Sequence, residues 1–142
     1  MENKVLEIEK PIQVQGYDID VMGIVNNIVY LRWFENLRMA FLDKYMPFSD
    51  MISNGYSPVL YQTKITYLNP VTIHDNPTGI LRIKTLTRVR WLMEIDIVSG
   101  ELYHCRGTQE GTFFDLTKKK IKKIPKEVLQ QYHQELELIN RN

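Results

Sequence analysis

Only one cysteine, Cys105, occurs among the 142 residues, so no internal disulfide can form and nothing points to an oxidising compartment. No run approaches the roughly 18 apolar residues of a membrane-spanning helix. The first segment carries four acidic side chains before residue 19 and no apolar core, which excludes a signal or transit peptide. Neither sign of charge is in excess. Eighteen Lys plus Arg against seventeen Asp plus Glu leave a net charge of +1, which excludes a chain that grips nucleic acid by bulk charge. Asn-x-Ser/Thr acceptors, internal repeats, Gly-rich phosphate loops and Ser-His-Asp arrangements are all missing. What is present is ordinary for a globular chain: 44% hydrophobic and 25% charged residues. At about 150 residues per domain, the expectation is one domain over 1–142, soluble and cytoplasmic, with no nucleic-acid or membrane partner.

The apolar periodicity changes along the chain in a definite order. Val5 to Gly16 alternates as a strand, and Pro11, which cannot donate to a ladder, assigns it an edge or a bulge. From Asn27 to Tyr45 the spacing turns helical, with Tyr30, Phe34, Leu37 and Phe41 on one face and Asn26 or Asn27 as N-cap. So apolar a helix predicts protein on most of its sides. The stretch around Pro47 reads as a loop. Ser57 to Phe114 then reads as strands broken near Asn69-Pro70 and at Ser99-Gly100, with Gly107 and Gly111 marking bulges or close backbone approach. A basic connector follows, then a terminal helix over 125–139. The sum is α+β: one apolar helix against a run of about five antiparallel strands.

The chemistry-bearing residues gather before the apolar helix. Asp18 and Asp20 lie two apart, followed by Gly23. A calcium loop is excluded, because Met22 and Val29 stand where oxygen ligands are required. Two readings remain open. The aspartates can form Asx turns and favourably charge the helix N-terminus. Alternatively, a carboxylate beside the free N–H groups of a helix start forms an acyl-transfer site, in which the amides stabilise an oxyanion and the carboxylate is nucleophile or base. His74, His104 and His133 are dispersed, with no metal-ligand spacing. Mid-strand Cys105 reads as a small buried hydrophobe.

The segment YDIDVMGIVNNIVYLRWFENLRMAFLD resembles the opening of hotdog-fold acyl-CoA thioesterases of the 4-hydroxybenzoyl-CoA thioesterase type. The shared pattern is an aspartate pair, a glycine, a short apolar step, Asn-Asn, a tyrosine and an aromatic-Glu-x-x-Arg helix. YLNPVTIHD, GTFFD and IPKEVLQQY resemble the later signatures of the same family, so the resemblance covers nearly the whole chain. It implies a central helix wrapped by a curved sheet, a homodimer or tetramer with the site between subunits, and hydrolysis of an acyl-CoA or acyl-carrier-protein thioester. No metal or other cofactor is implied. Asp20 becomes the catalytic carboxylate and the Asn27 backbone N–H the group that polarises the carbonyl. Gly23 permits close approach, Tyr30 lines the acyl pocket, and Arg88 and Arg90 contend with the Lys118–Lys123 run for the coenzyme phosphates. Ile24 stands where many members carry histidine. Glu35 is the alternative acid, on the pattern of a related hotdog clade. A non-catalytic acyl-thioester binder and a hotdog dehydratase are the competing functions. The second is disfavoured by Ile24.

Overall fold

The computed structural model describes residues 6–141. Strand β1 (Glu7–Pro11) leads through a 3-10 turn (Gly16–Asp18) to helix α1 (Asn27–Tyr45), a short helix α2 (Phe48–Ser53) and β2 (Tyr56–Tyr67). Three strands follow, β3 (Thr78–Leu86), β4 (Arg90–Ser99) and β5 (Leu102–Asp115), then a two-residue strand β6 (Lys120–Ile121) and helix α3 (Lys126–Arg141). All pairings are antiparallel, in the order β1-β3-β4-β5-β2, with β6 on the end of β5. The sheet curls as a half-barrel against α1.

Alternation explains which face meets the helix. Trp91, Met93, Ile95 and Ile97 of β4 are buried and join Phe34, Leu37 and Phe41 of α1 in one core. On the opposite face of β4, Asp96 is also buried, because two cross-strand arginines cover it. Arg82 Nη2 lies 3.2 Å and Arg106 Nε 3.1 Å from its two oxygens. Helix α1 begins at its expected position, with the Asn26 side chain accepting from the Ile28 N–H at 3.1 Å. Its sides are not all covered, however: Ile28 is 68% and Leu31 45% exposed.

Three expectations need correction. The first strand is shorter than Val5–Gly16, since the ladder stops at Pro11 and the chain continues extended into the 3-10 turn; Val5 lies outside the described residues. The stretch after Pro47 is not all loop but holds α2, six residues being too few for a helical period to register. The basic connector contributes β6, and the terminal helix runs Lys126–Arg141. The edge position for Pro11 is as expected, and so is the burial of Cys105, which is 0% exposed.

Gly107 and Gly111 mark close approach, and the bulges fall elsewhere, at Tyr61 among other places. A Cβ on Gly107 would lie 2.5 Å from the Phe34 ring and 2.6 Å from the Lys64 carbonyl oxygen; one on Gly111 would strike the Trp91 ring and the Val59 carbonyl. Because one obstacle at Gly107 is backbone, rotamer change cannot relieve it. Gly107→Ala is therefore expected to cost about 1–3 kcal/mol in denaturant unfolding, and an unchanged midpoint would refute this packing. Burial also pushes the Cys105 thiol up to about 12. At pH 8 the folded protein should resist thiol reagents that label it promptly in denaturant; fast labelling of native protein would contradict the core described.

Candidate functional site

The order of strands dictates where a cleft can form. β2 and β3 are consecutive in the chain but separated by β5 and β4 in the sheet, so residues 68–77 must cross the sheet's end. That end is where α1 starts. Val71, 0% exposed, anchors the crossing, and its carbonyl accepts the Val25 N–H at 2.8 Å. The Tyr67 hydroxyl donates to the Asn27 carbonyl at 3.1 Å. Between the two segments lies a cleft of about 240 Å³ lined by Ile24, Val25, Asn27, Tyr30, Tyr67, Leu68, Asn69 and Pro70.

The approach to α1 is built by hydrogen bonds that separate the two aspartates. Asp18 is 3% exposed. Its Oδ2 accepts the Gln15 N–H at 2.9 Å, its Oδ1 lies 3.9 Å from Arg32 Nη1, and its carbonyl accepts the Asn26 N–H at 2.9 Å. It closes the base of the loop. Asp20 stands at the loop's tip, beyond the Ile19–Val25 bridge. Its N–H donates to the Ile24 carbonyl at 2.9 Å and its carbonyl accepts from Gly23 at 3.0 Å, a reverse turn for which Gly23 supplies φ of 78°. Asp20 Oδ1 accepts the Met22 N–H at 2.8 Å, an Asx turn, and Oδ2 has no partner among the described residues. The Asx-turn reading is thus correct at Asp20, where it leaves one oxygen uncommitted, but not at Asp18, whose carboxylate accepts backward from Gln15 and closes the 3-10 turn instead.

Asn27 occupies the first helical position, where its N–H has no intrahelical acceptor and where the partial positive charge of α1 is concentrated. Beneath it, Tyr30 is 2% exposed and packs edge-on against Tyr67, with ring centroids 5.2 Å apart. Burial raises the Tyr30 hydroxyl to about 12, so it stays protonated throughout the physiological range.

The fold brings some of the expected residues together and keeps others apart. Asn27 and Tyr30 line the cleft directly; Asp20 and Gly23 do not, and sit on the turn bonded to the lining residue Ile24. Glu35 is exposed, 3.8 Å from Arg38, and two helical turns along α1 from Asn27. Arg38 turns inward to donate to the buried Gln109 at 2.7 Å. Arg88 and Arg90 stand at the β3–β4 hairpin, and Arg90 pairs with Thr112 and lies 3.7 Å from Glu110. Tyr67 pairs with Cys105, so the hairpin is seven residues further along β5, roughly 23 Å away at 3.3 Å per residue. Within one protomer these arginines do not meet the cleft. Conversely, the wall Tyr67–Pro70 was not picked out as a site from the sequence, although Asn69-Pro70 gave a turn signal there. Among the described residues no cluster of three or more His, Cys, Asp and Glu is placed to hold a metal, and no helix is long and apolar enough to cross a membrane.

Comparison with known proteins places this geometry in a lineage. The profile of the thioesterase-like superfamily matches residues 14–132. A protein of Aquifex aeolicus named "Putative esterase" is 31% identical over 126 residues, which cover 83% of this chain and 91% of the relative. Among solved structures, a hypothetical protein from Aquifex aeolicus superposes with TM-score 0.79 at 27% identity, covering 88% of this chain and 98% of its own. The DHNA-CoA thioesterase of Staphylococcus aureus superposes with TM-score 0.81 at 15% identity, covering 95% and 93%, a likeness of fold. The chain belongs to the thioesterase-like superfamily and has the hotdog fold of its structural neighbours.

Proposed function

We propose that this member of the superfamily hydrolyses an acyl thioester of coenzyme A or of a carrier protein to the free acid and thiol, with Asp20 as the catalytic carboxylate. The observation that carries this reading is the uncommitted Oδ2 of Asp20 on a turn bonded to Ile24, which lines the same cleft as Asn27 at the start of α1. A thioester carbonyl seated on the Asn27 N–H is polarised by that donor and by the helix field, and both strengthen as negative charge builds on its oxygen. Asp20 then acts in one of two ways. It adds to the carbonyl carbon and expels the thiolate, leaving a mixed anhydride that water cleaves; or it takes a proton from a water that adds instead. Either route consumes one water and releases acid and thiol.

The same reading calls for a second copy of the chain. β2 is an edge strand of 12 residues whose outer flank is unpaired in the protomer, with Val59, Leu60, Tyr61 and Tyr67 exposed. Antiparallel pairing of two such edges sets the Tyr56 end of one beside the Tyr67 end of the other. The Tyr56 end lies near the hairpin of Arg88 and Arg90, because Val59 and Arg90 flank the same residue, Thr112. Those arginines then reach toward the partner's cleft, where they meet the coenzyme phosphates.

Thiol release across a panel of acyl-CoA substrates tests the chemistry. Asp20→Asn keeps an oxygen for the Met22 N–H, so it is expected to fold normally and to lose at least about 10²-fold in kcat; near-full activity would remove Asp20 from the mechanism. Sedimentation equilibrium tests the assembly, with at least twice the 16.8 kDa chain mass expected. A monomer that retains full activity would refute the shared site.

A further inference from the structure

The crossing that walls the cleft is fastened at one residue on every side. Asn69 donates its N–H to the His104 carbonyl at 3.1 Å, and its own carbonyl faces His104 Nδ1 at 3.1 Å. Its Nδ2 donates to the Tyr103 carbonyl at 2.8 Å, and the neighbouring Leu68 N–H joins the His104 carbonyl at 2.9 Å. His104 itself is 1% exposed, with Nε2 2.7 Å from Ser99 Oγ. A carbonyl only accepts, so Nδ1–H donates to the Asn69 carbonyl, and with that tautomer Nε2 accepts a hydrogen bond from the Ser99 hydroxyl. The same logic fixes the Asn69 amide. Its NH₂ must face the Tyr103 carbonyl, which leaves Oδ1 as the free end. Oδ1 has no partner among the described residues, and Asn69 lines the cleft beside Ile24, Val25, Leu68 and Pro70.

A fixed acceptor among apolar side chains selects a ligand that brings a donor. An acyl chain brings none. The arm that carries a biological thioester, common to coenzyme A and to carrier proteins, brings secondary amide N–H groups a few bonds from the sulfur. We infer that Asn69 is a substrate-binding residue whose Oδ1 accepts an amide N–H of that arm, and that His104 is a positioning residue acting through it. The inference rests on the thioester reading above and names which part of the substrate the crossing segment holds.

The test compares one acyl group on four thiols: coenzyme A, a phosphopantetheinylated carrier protein, N-acetylcysteamine, and an alkyl thiol without an amide. Asn69→Ala is expected to raise KM about three- to tenfold on the amide-bearing thiols, the worth of one net hydrogen bond, with kcat within about twofold and no change on the alkyl thioester. An unchanged KM throughout, or an equal rise on the alkyl thioester, overturns the assignment. The ratio of kcat/KM between coenzyme A and carrier protein tells the two sources apart. His104→Gln withdraws the donor from the Asn69 carbonyl and should reproduce the KM rise, whereas His104→Asn restores an N–H near the Nδ1 position and should recover most of it. Equal KM values for the two variants would reduce His104 to a stability role. Should the wild type cleave no thioester, the proposed function fails by itself. The affinities of wild type and Asn69→Ala for a non-hydrolysable acyl-CoA thioether then decide the Asn69 assignment, equal values overturning it.

Discussion

Helix α1 lies as close to the sheet as side chains allow because two of the positions beneath it have none. Phe34 rests on Gly107 of β5, and Leu37 lies against Gly79 of β3, where an added Cβ would come within 2.6 Å of its methyl group. These contacts bury Phe34 and Leu37 almost completely, and each such side chain is worth about 1.5–3 kcal/mol of apolar transfer. Their larger consequence is geometric. A helix fixed in depth and rotation by two points has a fixed beginning, and the beginning is where this protein keeps its free amides. The Tyr67–Asn27 and Val25–Val71 bonds can then tie the crossing segment to the helix start at a set distance. The width of the cleft follows from packing half a helix away.

Much of this was readable from the chain. The period of 3.6 from Asn27 to Tyr45 and the period of 2 in β4 reflect one-sided burial, and one-sided burial leaves a strong imprint on sequence. Gly107 and Gly111 could be flagged, but not resolved between bulge and close approach, because both demand the absence of a side chain. What resisted reading was the non-local part. The crossing of 68–77 owes its place to strand order, and its hold to a buried histidine 35 positions further on in the chain. No periodicity encodes either. His104 looked idle because the three histidines are dispersed, with no metal-ligand spacing to a cysteine or carboxylate; its partners are a backbone carbonyl and a serine on a neighbouring strand. Helix α2 escaped for a simpler reason, brevity.

The aspartate pair shows how much the surroundings decide. Asp18 and Asp20 differ by two positions on the approach to the helix, yet one is enclosed at the end of the 3-10 turn and the other stands at a reverse turn. Asp18 spends both oxygens and its carbonyl on holding Gln15, Arg32 and Asn26 in place. An acid so engaged is poorly suited to attack or to proton transfer, because either would cost the contacts that shape the loop. Asp20 spends one oxygen on the Met22 N–H, which fixes the carboxylate plane and leaves the other oxygen free. Division of labour between the two acids is consistent with the assignment of chemistry to the second, and Gly23, at φ 78°, is what lets the chain turn back between Asp20 and the helix.

The charge arrangement at the helix start is effective only where water is scarce. At an effective dielectric near that of water, a half-charge at the end of α1 contributes little to a developing oxyanion; in a shielded site it contributes several times more. The protomer by itself leaves that end open, with Tyr17 81%, Met22 77% and Ile28 68% exposed around the cleft's approach. Val21, at the tip of the Asp20 turn, is fully exposed. Apolar side chains at the rim of a polar centre are costly in water and useful under a cover. The unpaired flank of β2, where Val59, Leu60 and Tyr61 are exposed, adjoins this rim through Tyr67, so one covering event would pair the strand edge and dry the cleft together. A single physical requirement, the removal of water, therefore links the edge of the sheet to the carboxylate at the turn. Under the proposed mechanism it also accounts for the exposed apolar Val21 and Met22 next to the Asp20 carboxylate on the same turn.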